Sequence, residues 1–148
     1  MLDEDNGSGI AHGRVDSVEA ALDQVGDRWT FLILREAFFG VRRFTDLCRN
    51  LGVARNVLAE RLKRLVDNGI LERHRYSEKP LREEYRLTEK GLDLYGVTVA
   101  LMRWGDRWCV SEPPLRLLHG DDGGRIEQVL RCECCGREVD VRQVRYER

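Results

Sequence analysis

The chain has 148 residues, the length of one domain or of one domain with a small appendage. Hydrophobic residues make up 42% and charged residues 34%, which excludes a disordered chain and allows one modest core; no apolar run approaches the length of a membrane span. The net charge of −1 conceals blocks: residues 42–90 carry thirteen Arg and Lys against eight Asp and Glu (+5), residues 1–41 three against eight (−5), and residues 91–148 nine against ten (−1). A concentrated basic segment points to a polyanionic partner more than whole-chain charge does, although a charged helix face alone is only a solvated face.

Residues 1–13 are acidic and polar and lack the basic start and apolar stretch of a signal peptide, so a flexible leader is expected there. Five cysteines, an odd count, with no secretory signal argue against a disulfide framework and for a cytoplasmic location. Asp16-Ser17-Val18-Glu19 reads as an N-cap with an acid three residues on. Val18, Leu22 and Val25 then recur at helical spacing until Gly26. A second helix begins near Asp27 and carries Trp29, Phe31, Leu32, Ile33, Leu34, Ala37 and Phe38. It is apolar nearly all round and is expected to be the central buried helix, ending at Gly40. A third covers 44–51 with Phe44, Leu47 and Cys48 inward, broken by Gly52. A fourth runs over 54–68 with Leu58, Leu62 and Leu65 as its buried stripe. The period then changes: 71–76 reads as a strand, 77–83 as a polar turn and 84–88 as the returning strand. Thr88 caps a long helix over 89–109, where Leu94, Leu101 and Trp108 recur every seven residues beside Val97 and Trp104. That seam is longer than a small core needs and suggests pairing with a second chain. Pro113-Pro114 follows, and no internal repeat is visible. Three parts are therefore expected: the leader 1–13, a domain over 14–111 and a small tail unit over 112–148.

Helix, glycine turn, helix and basic hairpin is the order of a winged helix-turn-helix. The expected class is mainly α with a small β-hairpin (α+β), with a long C-terminal dimerisation helix and a cysteine-bearing tail. A helix fits the major groove and its exposed N-terminal residues reach base edges. Here those are Arg55 and Asn56, which suit guanine and adenine. Lys63, Arg64, Arg42 and Arg43 suit phosphate, and Arg75, Lys79 and Arg82 of the hairpin suit the adjacent minor groove or its phosphates. Arg61 is expected to brace its helix against an acid such as Asp46, and Glu60 to read a cytosine amine or orient Arg55 or Arg64. Double-stranded DNA is the expected partner.

Gly26-Asp27-Arg28-Trp29-Thr30-Phe31-Leu32-Ile33-Leu34-Arg35, Arg43-Phe44 with Leu47, Asn56-Val57-Leu58 with Arg61-Leu62 and Leu65, and Gly69 closely resemble the HxlR-type regulators. So does Pro80-Leu81-Arg82-Glu83-Glu84-Tyr85-Arg86-Leu87-Thr88-Glu89-Lys90-Gly91. The resemblance covers about two-thirds of the chain. It implies a bacterial winged-helix regulator that binds a two-fold operator as a homodimer. Dimer contacts are expected from Val18 and Leu22 on the first helix and Leu94, Val97, Leu101, Trp104 and Trp108 on the last. It does not decide between repressor and activator; a repressor is the expectation. Many relatives carry a cysteine just before the first helix, in some a sensor of oxidants; Asp16 holds that position here, so thiol sensing there is not expected.

In the tail, Cys132-Glu133-Cys134-Cys135-Gly136 has the C-x2-C-G form of a zinc knuckle. A structural site needs four ligands, and His119 and Asp122 in the upstream turn are the candidates to complete Cys132 and Cys135. Aspartate is a poorer structural ligand beside thiolates. Zinc, a metal-free hairpin and a redox-active dithiol therefore all remain open. No Ser-His-Asp set, glycine-rich phosphate loop or catalytic carboxylate pair is present, so an enzyme is not expected. The competing function is a winged-helix protein-interaction module without sequence-specific DNA binding. A small-molecule effector is a further expected partner, with Trp29, Phe31, Trp104 and Trp108 as candidate lining, although aromatic stripes at helical spacing usually form core and seam.

Overall fold

The computed structural model of the chain describes residues 16–147, and the leader expected over 1–13 lies outside them. The elements follow as α1 (Ser17–Val25), α2 (Arg28–Phe38), α3 (Phe44–Leu51), α4 (Arg55–Asp67), β1 (Leu71–Glu78), β2 (Leu81–Leu87), α5 (Glu89–Trp108) and a 3-10 turn (Val141–Gln143). The fold is an α+β winged helix, as its sequence order required. No helix among the described residues is long and apolar enough to cross a membrane.

The first two helices start on aspartate caps. Asp16 accepts the N–H groups of Val18 and Glu19, and Asp27 those of Trp29 and Thr30. Such caps satisfy backbone donors that otherwise lack partners, worth roughly 1 kcal/mol each. Between α3 and α4 the chain reverses at Gly52, whose φ of +61° is a left-handed conformation that a side chain would disfavour.

The first compact unit ends at Leu92. Its core is Ile33 and Leu34 of α2, Leu47 of α3, Leu58, Leu62 and Leu65 of α4, Ile70 just before β1 and Leu71 at its start, all essentially without solvent contact. Each such side chain contributes on the order of 1.5–3 kcal/mol of transfer free energy. As the central helix, α2 touches α3, α4 and β2. It also buries two polar residues with their partners. Thr30 Oγ1 donates to Asp27 (2.6 Å), and Glu36 accepts from Arg35 (3.0 Å) and from Asn50 Nδ2 (2.9 Å), tying α2 to α3.

The hairpin differs from its expectation. Ser77 pairs with Arg82 and Glu78 with Leu81, so the connection is only Lys79-Pro80, with a cis peptide bond between them. The polar run 77–83 reads as a turn because both faces of this part of the ribbon meet solvent, and the apolar alternation that marks a half-buried strand is missing. A register irregularity lies between Arg75 and Ser77 and leaves Tyr76 unpaired. At the ribbon's other end, Thr88 Oγ1 meets the carbonyls of Gly69 and Ile70 and accepts the N–H of Gly91, starting α5.

The second unit runs from Asp93 and comprises most of α5 with the tail, so the division falls inside the long helix, earlier than the expected 111/112. The reason is hydrogen bonding between helix and tail: Gln128 Nε2 donates to the Gly96 carbonyl (2.9 Å) and Arg103 to that of Ile126.

Candidate nucleic-acid interface

The exposed face of α4 carries Arg55, Asn56, Ala59, Glu60 and Lys63, opposite the buried Leu58, Leu62 and Leu65. Neither α3 nor α4 has a side-chain cap, in contrast to α1 and α2; their N-cap residues are Arg43 and Ala54. Two successive helices thus begin with free backbone N–H groups beside arginines, an arrangement suited to phosphate oxygens.

Two arginines here rest on aromatic rings. The Arg55 guanidinium lies 5.0 Å from the centre of the Phe44 ring, and that of Arg43 lies 5.3 Å from the centre of the Tyr76 ring. Stacking of this kind limits the freedom of a long cationic side chain while leaving its N–H edge available. The segment before α3 is fastened to the wing, since the Tyr85 N–H donates to the Arg42 carbonyl (2.8 Å) and the Arg42 side chain stands 3.8 Å from Glu84. Glu84 is held below the usual carboxylate range by the hydrogen bond from Arg86, with Arg42 adding to it. It therefore stays ionised and fixes both arginines. A cleft of about 430 Å³ opens here, lined by Arg42, Arg43, Asp46, Arg49, Asn50 and Glu84 among others.

The remaining basic candidates divide. Lys79 and Arg82 are exposed at the wing tip. Arg75 is 3.5 Å from Glu83 across the hairpin, and Lys63 pairs with Asp67 at 2.6 Å. Arg64 donates to the Asp23 carbonyl of α1, which uses it to join two helices. Arg61 pairs with Asp27 (3.6 Å) rather than with Asp46, which pairs with Arg49 (2.8 Å); α4 packs on α2, so the α2 cap is the acid within reach. Burial pushes the Asp27 carboxyl up, but the hydrogen bonds from Thr30, the Arg61 charge and the Trp29 N–H together hold it below its ordinary value. Sequence reasoning passed over Phe44, Tyr76 and Glu84 as parts of this surface. Arg43–Tyr76 and Arg42–Glu84 join residues far apart in the chain, and no spacing rule announces such pairs.

Of the dimer candidates, Val18 and Leu22 on α1 are more than half exposed, and so are Leu101, Trp104 and Trp108 on α5, with Val97 at 50%; Leu94 is half-buried. In the tail, His119 Nδ1 lies 3.2 Å from Asp122 Oδ1, forming one pair. Cys132 and Cys135 form another, in which hydrogen bonds from Arg137 and then from Cys132 pull the Cys135 thiol below its ordinary value. Among the described residues no three His, Cys, Asp or Glu side chains converge on one point. Cys48 is half-buried with its thiol donating to the Val53 carbonyl (3.2 Å), and Cys109 is exposed.

The HxlR-like helix-turn-helix family profile matches residues 24–113. The chain is 50% identical over 131 residues to the uncharacterized HTH-type transcriptional regulator Rv3095 of Mycobacterium tuberculosis, covering 87% of this chain and 83% of that one. It is 37% identical over 93 residues to the HTH-type transcriptional regulator YodB of Bacillus subtilis, covering 62% and 83%. Among solved structures, PA1607, described as a candidate transcription factor, matches with a TM-score of 0.82 and 34% identity over 90% of this chain and 94% of that one. The reduced form of YodB matches with a TM-score of 0.56 and 35% identity over 65% and 95%. Coverage as high as that of Rv3095 and PA1607 reaches well into the tail, whereas the YodB match has the extent of the winged helix.

Proposed function

Because the chain belongs to the HxlR-like helix-turn-helix family and is a DNA-binding transcriptional regulator of that type, we propose that two copies bind an inverted-repeat operator, one α4 entering the major groove of each half-site. The observation that carries this reading is the pair Arg55-Asn56, exposed on the first turn of an uncapped helix. From there Arg55 reaches guanine and Asn56 adenine, each in bidentate fashion. Arg43, with the free N–H groups of α3, binds phosphate, and Lys79 and Arg82 extend the contact from the wing. Arg42, Lys63, Arg64 and Arg75 contribute less, since each already has an oxygen partner.

A second copy covers the apolar face of α5 formed by Val97, Leu101, Trp104 and Trp108, with Val18 and Leu22 of α1 adding to the contact. Four large apolar residues exposed at helical spacing on one element exceed the scattered exposure normal for a surface. Two-fold pairing then sets the half-sites about one helical turn, roughly 34 Å, or a multiple of it apart. Repression follows where such a site overlaps a promoter. A small-molecule effector has a cleft of about 710 Å³ open to it in the second unit, lined by Met102, Trp104, Trp108, Leu117 and Ile126 with Arg103 among others.

The test is recovery of genomic DNA fragments by the purified protein, native against an Arg55→Ala, Asn56→Ala double variant. A short inverted repeat enriched by the native chain and lost in the variant is expected. Recovery that is sequence-blind in both would overturn the base-reading role. Separately, Leu101→Glu should convert the dimer to a monomer in light scattering, and a dimer unchanged by it would remove α5 from the interface.

A further inference from the structure

Among the described residues from Cys109 onward no side chain is buried; Leu117, Ile126, Cys132 and Val139 are half-buried and the rest exposed. This stretch nonetheless has a regular backbone, and it is built twice. The His119 N–H donates to the Gly124 carbonyl (2.8 Å), the Gly123 N–H to the His119 carbonyl (2.9 Å) and the Ile126 N–H to the Leu117 carbonyl (3.3 Å). Thirteen residues on, the Cys132 N–H donates to the Arg137 carbonyl (2.9 Å), the Gly136 N–H to the Cys132 carbonyl (2.8 Å) and the Val139 N–H to the Leu130 carbonyl (2.9 Å). The flanking bridges correspond as well, Leu118 with Arg125 and Arg131 with Glu138. So do the left-handed glycines, Gly123 at φ +70° and Gly136 at +69°. The repeat is invisible in the sequence because only the glycine and a few apolar positions coincide. What is repeated is a hydrogen-bond pattern.

Each copy places two metal-ligating side chains at the same two positions, the first residue of the turn and the one just before its left-handed glycine: His119 and Asp122 in one, Cys132 and Cys135 in the other. A turn of this form, with donors three residues apart, is half of a tetrahedral zinc site, and two such turns supply the four ligands that a closed structural site requires. Two thiolates with an imidazole select zinc over hard cations. Asp122 Oδ1 also accepts the Gly124 N–H (2.7 Å), which orients the weakest ligand of the set. We propose that the two turns are the halves of one structural zinc site, with His119, Asp122, Cys132 and Cys135 as its ligands. The structure presents them as two separate pairs, so the ion draws the turns together on binding. Its binding energy replaces the apolar core that this stretch lacks, as in other small units that fold only around metal. Cys134 and Cys109 are outside the set.

The proposal does not depend on how the protein reads DNA, and its test uses the full chain, untagged, purified with neither added metal nor chelator. Elemental analysis should give about one zinc per chain. Cys134→Ser should retain it, and the Cys132→Ser, Cys135→Ser double variant should lose it. Cobalt loaded in place of zinc should show tetrahedral absorption with a charge-transfer band for two thiolates. In Asp122→Cys that band should grow about 1.5-fold as a third thiolate joins. This gain keeps the test decisive where cysteine removal unfolds the tail. A native chain that is clearly substoichiometric in zinc and takes up no cobalt, or one isolated with a Cys132–Cys135 disulfide instead, overturns the proposal. So does full zinc retention in the double cysteine variant, or an Asp122→Cys cobalt spectrum identical to the native one.

Discussion

Leu62 of α4 and Ile126 of the tail are both branched aliphatic residues in hydrogen-bonded backbone, but Leu62 is entirely buried and Ile126 only half so. The contrast holds for their surroundings. The winged unit closes on eight side chains without solvent contact, drawn from three helices and the entry to the hairpin, while the tail has regular turns and nothing buried. A dense core sets the shape of the first unit through packing that tolerates few alternatives. The tail is shaped by hydrogen bonds instead, those within its turns and the two that tie it to α5, and they contribute only about 1 kcal/mol each against water. A unit of the second kind needs a cross-link, a metal or a partner surface to hold it.

Substitutions can sharpen or break this contrast. The largest effect should come from Leu62→Ala, which should lower unfolding free energy by about 2–5 kcal/mol through lost transfer energy and a cavity; urea denaturation followed by tryptophan fluorescence measures it. Asp27→Asn comes next, at about 1–2 kcal/mol, since it weakens the α2 cap and the pair with Arg61. Because the Asp27 carboxyl is held below its ordinary value in the folded state, its contribution is present above the unfolded pKa near 3.8 and is lost as pH falls through the folded one. Native and variant stabilities should therefore converge on acidification, and a difference that persists well below that range would mean that the ionised carboxylate is not its source.

Arg43→Ala should leave stability nearly unchanged and lower the slope of log affinity against log salt for DNA by about 0.9, the loss of one phosphate contact. Arg137→Ala in the tail should leave that slope alone, and a change of equal size in both would place the tail on the DNA. Smallest of all, Ile126→Ala should cost less than about 1 kcal/mol, because its side chain is only half withdrawn from water. Hydrogen exchange of the 117–139 amides, compared between native and variant, reads that local effect directly. A loss approaching that of Leu62→Ala would show that a partner surface buries the tail in solution.

Much of the winged helix was legible in the chain. Asp16, Asp27, Gly26 and Gly52 marked the ends of helices, and Leu58, Leu62 and Leu65 marked the inner stripe of α4, because caps and helical periodicity act within a few residues. The end of the ribbon over 77–83 was not legible, since a solvated hairpin shows no alternation to read, although the returning strand expected over 84–88 was. The partner of Arg61 was missed for a different reason. Several acids satisfy the chemistry, and only the packing of α4 on α2 selects Asp27 over Asp46.

By itself, then, the amino-acid order determined the sequence of elements, the basic segment and the identity of Arg55 and Asn56 as the exposed start of α4, all properties of neighbouring residues. Only the tertiary structure decided which arginines rest on Phe44 and Tyr76, which are already taken by Glu84, Asp23 or Asp67, and that the tail repeats one turn thirteen residues apart. Those depend on distances through space between groups far apart in the chain, or on backbone hydrogen bonds that unlike sequences form equally well.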